Sequence, residues 1–175
     1  ENPLEDTQTP LLKRRLLGSL VFLALLMYVS MGSMLGLPLP AALEGAEGAA
    51  AFALTQLLLT LPILYLNRAF FISGFKGIWN RAPGMDALVA LGAGASLGYS
   101  LWVMYQICFA LGAGDMAGAH AGRHDLYFEG AGMILTLITL GKTLESRSKG
   151  RTTSALKGLL ELAPRTATLL REGQE

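Results

Sequence analysis

Glu129 and Glu145 offer the most chemistry in this chain, because Glu129 lies within and Glu145 directly follows the run Leu126–Leu144, which is otherwise free of charge apart from Lys142. An ionisable group in hydrocarbon is costly and by default marks a function. On one helix the two carboxylates lie about 24 Å apart along the axis and about 160° apart around it, so they cannot share a site. Each serves a different mouth of a pathway, or each sits at an interface where a carboxylate is tolerated. Two methionines match them in depth. Met85 opens an apolar run on the Glu145 side, and Met31 lies with Met27 and Met34 in MYVSMGSM on the Glu129 side. A thioether is a soft ligand suited to Cu(I), and a nearby carboxylate assists transient capture or release. Methionine also fills gaps in helix cores, so packing is the competing reading.

The remaining reactive types point to structure. His120 and His124, beside Asp115, Met116 and Asp125, have i, i+4 spacing, but their Gly/Ala-rich surroundings read as a solvated loop. Cys108 is the single cysteine, which excludes a disulfide framework and reads as a small hydrophobe. Gly94 and Gly98, with Gly92 nearby, form a G-x-x-x-G pair that favours close helix packing. There is no phosphate loop, no Cys-x-x-Cys and no nucleophile–base pair.

The elements that must position these residues follow from composition. The 175 residues are 52% hydrophobic and 15% charged, with mean hydropathy +0.45. Soluble domains carry roughly 25% charged residues, so the chain belongs in a lipid bilayer. A net charge of +1 excludes a nucleic-acid partner. About 20 apolar residues cross a membrane as a helix, and four spans satisfy that rule, near 14–37, 48–67, 84–111 and 126–148. Pro38 and Pro40 end the first near Leu37. Of the 14 Lys and Arg residues, all but Arg123 fall before span one, between spans two and three, or at and beyond the end of span four. Basic residues stay cytoplasmic, which places both termini inside. The chain begins without methionine in a polar stretch, and residues 1–12 read as a cytoplasmic linker with a partner on its N-terminal side.

Between spans two and three, residues 68–82 are too polar for membrane core and too aromatic for a plain loop. Phe71, Phe75 and Ile78 fall on one stripe with Arg68 and Lys76 displaced from it, which predicts an interfacial amphipathic helix. Past span four, helical periodicity continues through SRSKGRTTSALKGLLELAP, and RTATLLREG then reads as a first strand. One short strand cannot bury itself, so residues 149–175 read as the start of a cytoplasmic domain completed elsewhere.

Three segments carry a resemblance: NRAPGMDALVALGAGASLGYS (80–100), YFEGAGMILTLITLGKTLESRSKGRTTSALKGLLELAP (127–164) and RTATLLREG (165–173). They resemble the heavy-metal-transporting (type IB) P-type ATPases, in particular the Cu(I) exporters, from about Leu12 to the end of the chain. The resemblance implies an all-α polytopic membrane region, with two class-specific helices ahead of two core helices, followed by the opening of a β-rich actuator domain. It implies that Met85 and Glu145 take up Cu(I) transiently at the cytoplasmic face, that Glu129 and Met31 lie on its release route, and that Arg68, Lys76 and Arg81 dock a copper metallochaperone or an N-terminal metal-binding domain. The implied location is the plasma (inner) membrane. ATP and Mg²⁺ belong to the parent enzyme's other domains, since the Cys-Pro-Cys, Asp-Lys-Thr-Gly and Thr-Gly-Glu motifs are absent from these residues. One departure stands out: where the family carries a helix-kinking double glycine, this chain has Leu66 and Asn67, so glycine does not dictate a kink. A zinc or other divalent-metal member of the family is the alternative, disfavoured by the methionines. A non-enzymatic four-span protein, or a small exporter coupled to protons through Glu129, is the alternative from another class.

Overall fold

The computed structural model describes residues 8–32 and 34–161, and every regular element among them is helical. The helices are α1 (Gln8–Met31), α2 (Ala49–Leu66), α3 (Arg68–Trp79), α4 (Met85–Gly112), α5 (Met116–His124) and α6 (Phe128–Glu161), with a single 3₁₀ turn at Ala41–Leu43. Three of them are long and apolar enough to cross a membrane: Thr9–Met31, Ala49–Leu66 and Met85–Gly112. α6 carries Glu129, Lys142 and Glu145 and is less apolar. At 34 residues it is about 51 Å long, well beyond the roughly 30 Å of a hydrocarbon layer. The actuator strand expected at 165–173 lies outside the described residues.

α1, α2 and α6 enclose one seam, and α4 packs against α6 and, less closely, against α2. The seam is lined by Leu26, Ile63 and Leu135 together with buried small polar residues: Ser19, Thr60, Thr136 and Thr139. The Thr139 hydroxyl shares its proton between the Leu135 carbonyl at 2.8 Å and the Asn67 amide oxygen at 2.5 Å, while Thr60 and Thr136 bond back to their own helices, to the Gln56 and Gly132 carbonyls at 2.7 Å each. A hydroxyl satisfied in this way packs as a small apolar group, which suits helices that associate by close contact in lipid. Gly132 permits that contact. A Cβ there would lie 3.2 Å from both Ile63 Cδ1 and Leu26 Cδ2. The outward faces keep large apolar side chains exposed, including Leu17, Leu58, Leu88, Trp102 and Phe109, as lipid contact requires.

Two loops differ from expectation. α1 stops at Met31, six residues before Leu37, and the chain turns again before the prolines. Leu37 N–H donates to the Gly32 carbonyl at 2.9 Å, around Gly36 at φ 69°. That bond closes a separate turn beyond the end of α1 around a left-handed glycine, so the helix ends well before either proline. The segment expected as a solvated loop at 112–125 holds α5. Asp115 caps it by accepting from Gly118 N–H at 2.9 Å, and Ala119 is fully buried. Its Arg123 donates to the Leu43 and Gly45 carbonyls at 2.6 and 2.8 Å and lies 4.1 Å over the Phe52 ring. The one basic residue at this end of the bundle is thus spent on tying α5 to the α1–α2 connection.

This packing selects the sites for a topology test. Gly45 has φ 68°, and a Cβ on Gly118 would strike the Asp115 cap at 2.3 Å, so neither accepts cysteine cleanly. Exposed Glu47 and Ala117 do. In a Cys108→Ser background, Glu47→Cys and Ala117→Cys are expected to react with a membrane-impermeant maleimide from outside, and Lys76→Cys only after permeabilisation. Outside labelling at position 76 would invert the orientation.

Candidate metal path and basic platform

Met85 is the first residue of α4, half exposed, behind the Gly84 N-cap. Its relation to Glu145 follows from the α4–α6 register. A Cβ on Gly130 would sit 2.9 Å from Ser96 Oγ, and one on Gly92 would sit 3.7 Å from Ile134 Cδ1. These antiparallel pairings bring Met85 level with Gly141, about one helical turn from Glu145. Met85 shares a helix face with Gly92 and Ser96, seven and eleven residues on, and Glu145 shares one with Ile134. The two therefore stand at the same end of one helix seam. Glu145 is half exposed and accepts from Lys149 Nζ at 2.6 Å, one turn along α6.

Glu129 lies in the first turn of α6, at the opposite end. Its Oε2 is buried and has no hydrogen-bond partner among the described residues. The side chain beside it is Ser30 on α1, a residue no sequence signal marked. Met31 reaches the same depth as the last residue of α1, but it points about 100° around the helix from Ser30 and is 39% exposed. Depth was legible and azimuth was not. His120 and His124 stack edge-on at 5.3 Å on α5. Among the described residues, no three His, Cys, Asp or Glu side chains gather as a metal-holding group.

α3 supplies the basic platform. It follows α2 after a single residue, Asn67, which takes φ −104° and ψ 15°. A break thus occurs where glycine is missing, and side-chain chemistry holds it. Asn67 is buried; its Nδ2 donates to Ser19 Oγ at 2.8 Å and to the Ile63 carbonyl at 2.9 Å, and its Oδ1 accepts from Thr139 Oγ1 at 2.5 Å. One amide joins α1, α2 and α6 at the point where the chain turns onto the platform. Beyond it, Gly74 presses against α4, where a Cβ would lie 2.6 Å from the Asp86 carbonyl oxygen. The expected stripe divides: Phe70 and Phe71 pack inward, while Ile72, Phe75 and Trp79 point away from the bundle. Arg68 and Lys76 stand about 12 Å apart along the helix. Arg81 closes α3 in the left-handed region at φ 54°, with Ala82 N–H bonded to the Gly77 carbonyl at 2.9 Å.

The chain is 38% identical over 121 residues to a copper-exporting P-type ATPase of Bacillus subtilis, covering 69% of this chain and 14% of the relative. It is 33% identical over 160 residues to a copper-transporting ATPase of Helicobacter pylori, covering 90% of this chain and 21% of the relative. The chain belongs to the copper-transporting P-type ATPases. A probable copper-transporting ATPase of Synechococcus elongatus is 40% identical over 120 residues, 69% of this chain and 15% of its own length. The chain therefore spans between 14% and 21% of these copper ATPases. No family model matches it, and no solved structure does.

Proposed function

We propose that this chain forms the first four transmembrane helices of an ATP-driven Cu(I) exporter, with α6 as the fourth span, both termini cytoplasmic and the plasma (inner) membrane as its location. What supports the proposal is depth: Met85 and Glu145 stand at one end of the helix bundle, and Glu129 stands at the other, with Met31 level with it but turned aside. Met85 and Glu145 take Cu(I) at the cytoplasmic mouth. The thioether supplies a soft ligand, and the exposed carboxylate, held by Lys149, offers the arriving cation a negative partner that can be released again. Neither side chain encloses the ion, as suits a mouth that must pass its cargo on. Glu129 acts at the outer mouth, with Met31 at the same depth. A buried carboxyl oxygen without a donor is costly, and a departing cation or a proton satisfies it. On this reading α6 runs from the release carboxylate through the membrane to the actuator domain, so the element that joins the two mouths also reaches the part of the parent enzyme that ATP drives. ATP and Mg²⁺ act in that remainder. Lys76 and Arg81, with Arg68 at the near edge, offer a basic surface to a copper metallochaperone or an N-terminal metal-binding domain.

The test is metal-stimulated ATP hydrolysis by the intact transporter. Cu(I) under reducing conditions is expected to stimulate turnover strongly and Zn²⁺ only weakly. Equal or stronger stimulation by Zn²⁺ would transfer the protein to a divalent-metal class and remove the role given to the thioethers.

A further inference from the structure

A second site lies away from the metal path, where α1 meets the α2–α3 junction. A cleft of about 200 Å³ opens there, lined by Arg15, Tyr65, Leu66, Arg68, Ala69 and Ile72. Two arginines from different helices line it, and no acidic residue does. Among the described residues neither arginine is ion-paired with a carboxylate. The Arg68 guanidinium stacks 4.7 Å over the Tyr65 ring, which holds it toward the cleft while leaving its edge donors available. One turn toward the membrane interior the floor is closed: a Cβ on Gly18 would lie 2.8 Å from Leu66 Cδ1, so α1 and α2 touch at this point.

The depth of the cleft identifies what fills it. Arg15 is the last charged residue before the apolar length of α1, and Arg68 is the first after the apolar length of α2. Both therefore mark the same hydrocarbon boundary, where lipid phosphates lie. Tyr65 and Ile72 are 67% and 55% exposed at its rim, an aromatic and an aliphatic side chain placed for acyl chains and interface. Basic pockets between membrane helices on the cytoplasmic side hold anionic headgroups. We infer that this cleft binds the phosphate of one anionic phospholipid, with Arg15 and Arg68 as the phosphate donors and Ile72 against its acyl chains. The lipid would pin α1 to the start of the platform from outside, opposite the buried Asn67 amide that pins it from inside. The inference requires the membrane placement and is independent of which metal is carried.

The experiment titrates dioleoylphosphatidylglycerol, dioleoylphosphatidylcholine or inorganic phosphate into the purified full chain in detergent and counts bound ligand by native mass spectrometry. One phosphatidylglycerol is expected to bind in clear preference to phosphatidylcholine, with no displacement by excess inorganic phosphate. Arg15→Gln combined with Arg68→Gln should weaken that binding about tenfold or more, since each cation near an anionic surface contributes severalfold. Lys76→Gln, outside the cleft, should leave it unchanged. If the double variant does not fold, Arg68→Lys is read instead; it keeps the charge, loses the two-pronged geometry and should still bind measurably more weakly. Equal affinity in wild type and variants, equal binding of phosphatidylcholine, or displacement by inorganic phosphate would each overturn the assignment. So would unchanged lipid binding together with loss of metallochaperone-dependent copper delivery in Arg68→Gln, which would give the arginine to the protein partner. Failure of copper stimulation of ATP hydrolysis would leave this outcome untouched.

Discussion

Replacing Asn67 with leucine is expected to destabilise the bundle by about 1–3 kcal/mol, since buried hydrogen bonds in membrane proteins contribute from a few tenths to about 2 kcal/mol each. The amide serves three helices at once, through Ser19, the Ile63 carbonyl and Thr139. Leucine removes all of these bonds and leaves the buried Ser19 hydroxyl without its amide donor. It also favours continuing α2 straight through the break, because leucine is a strong helix former and asparagine is not. Two variants separate the effects. Asn67→Gly keeps an easy break and loses the bonds, whereas Thr139→Val removes one bond and keeps the break. The measurement is thermal unfolding in detergent, followed by circular dichroism. The expected order of stability is wild type, then Thr139→Val, then Asn67→Gly, with Asn67→Leu lowest. A leucine variant as stable as wild type would mean that the three-helix junction contributes nothing.

The larger functional effect is expected at the two mouths. In the intact transporter, Met85→Ala and Glu145→Ala should each lower copper-stimulated turnover about tenfold at limiting Cu(I), on the scale of losing a supporting group at a metal site. Saturating Cu(I) should restore part of the loss in both, because a weakened capture step is overcome by mass action. Glu129→Ala should lower turnover by a similar factor that added Cu(I) does not restore, because the defect lies after loading. Lys149→Ala discriminates further. It frees the Glu145 carboxylate from its 2.6 Å partner, so copper capture at limiting metal should be maintained or improved. Identical copper dependence in Met85→Ala and Glu129→Ala would mean that the two ends of the bundle do not act at different steps.

Much of this was legible in the residues, for identifiable reasons. Apolar length read the three long apolar helices directly, because that signal is one-dimensional. The pairing of Met85 with Glu145 in depth was equally accessible, since helical rise converts sequence position to height. Azimuth was harder. That Ser30 rather than Met31 lies beside Glu129 depends on how α1 rolls against α6, which Gly132 sets by admitting Leu26 and Ile63. α5 escaped notice because glycine and alanine gave it no apolar periodicity; its stability comes from the Asp115 cap and the Arg123 clamp, both tertiary or local polar effects. The break at Asn67 was sought in glycine, whereas an asparagine side chain holds it through bonds to Ser19, 48 residues away, and Thr139, 72 residues away. No local pattern encodes contacts at such separation. The divided platform stripe has the same origin: Gly74 draws α3 onto α4 and turns Phe75 outward.

The most direct test of a Cu(I) path with separate uptake and release ends is the kinetics of the phosphoenzyme in the intact transporter. Phosphorylation is started with ATP in the presence of Cu(I), then chased, and formation and decay are followed in wild type, Met85→Ala and Glu129→Ala. The expected result is slow or absent formation with normal decay in Met85→Ala, and normal formation with slow decay in Glu129→Ala. Reversed defects, with Glu129→Ala failing to form the phosphoenzyme and Met85→Ala failing to lose it, would contradict the assigned direction, and wild-type kinetics in both would return these side chains to helix packing.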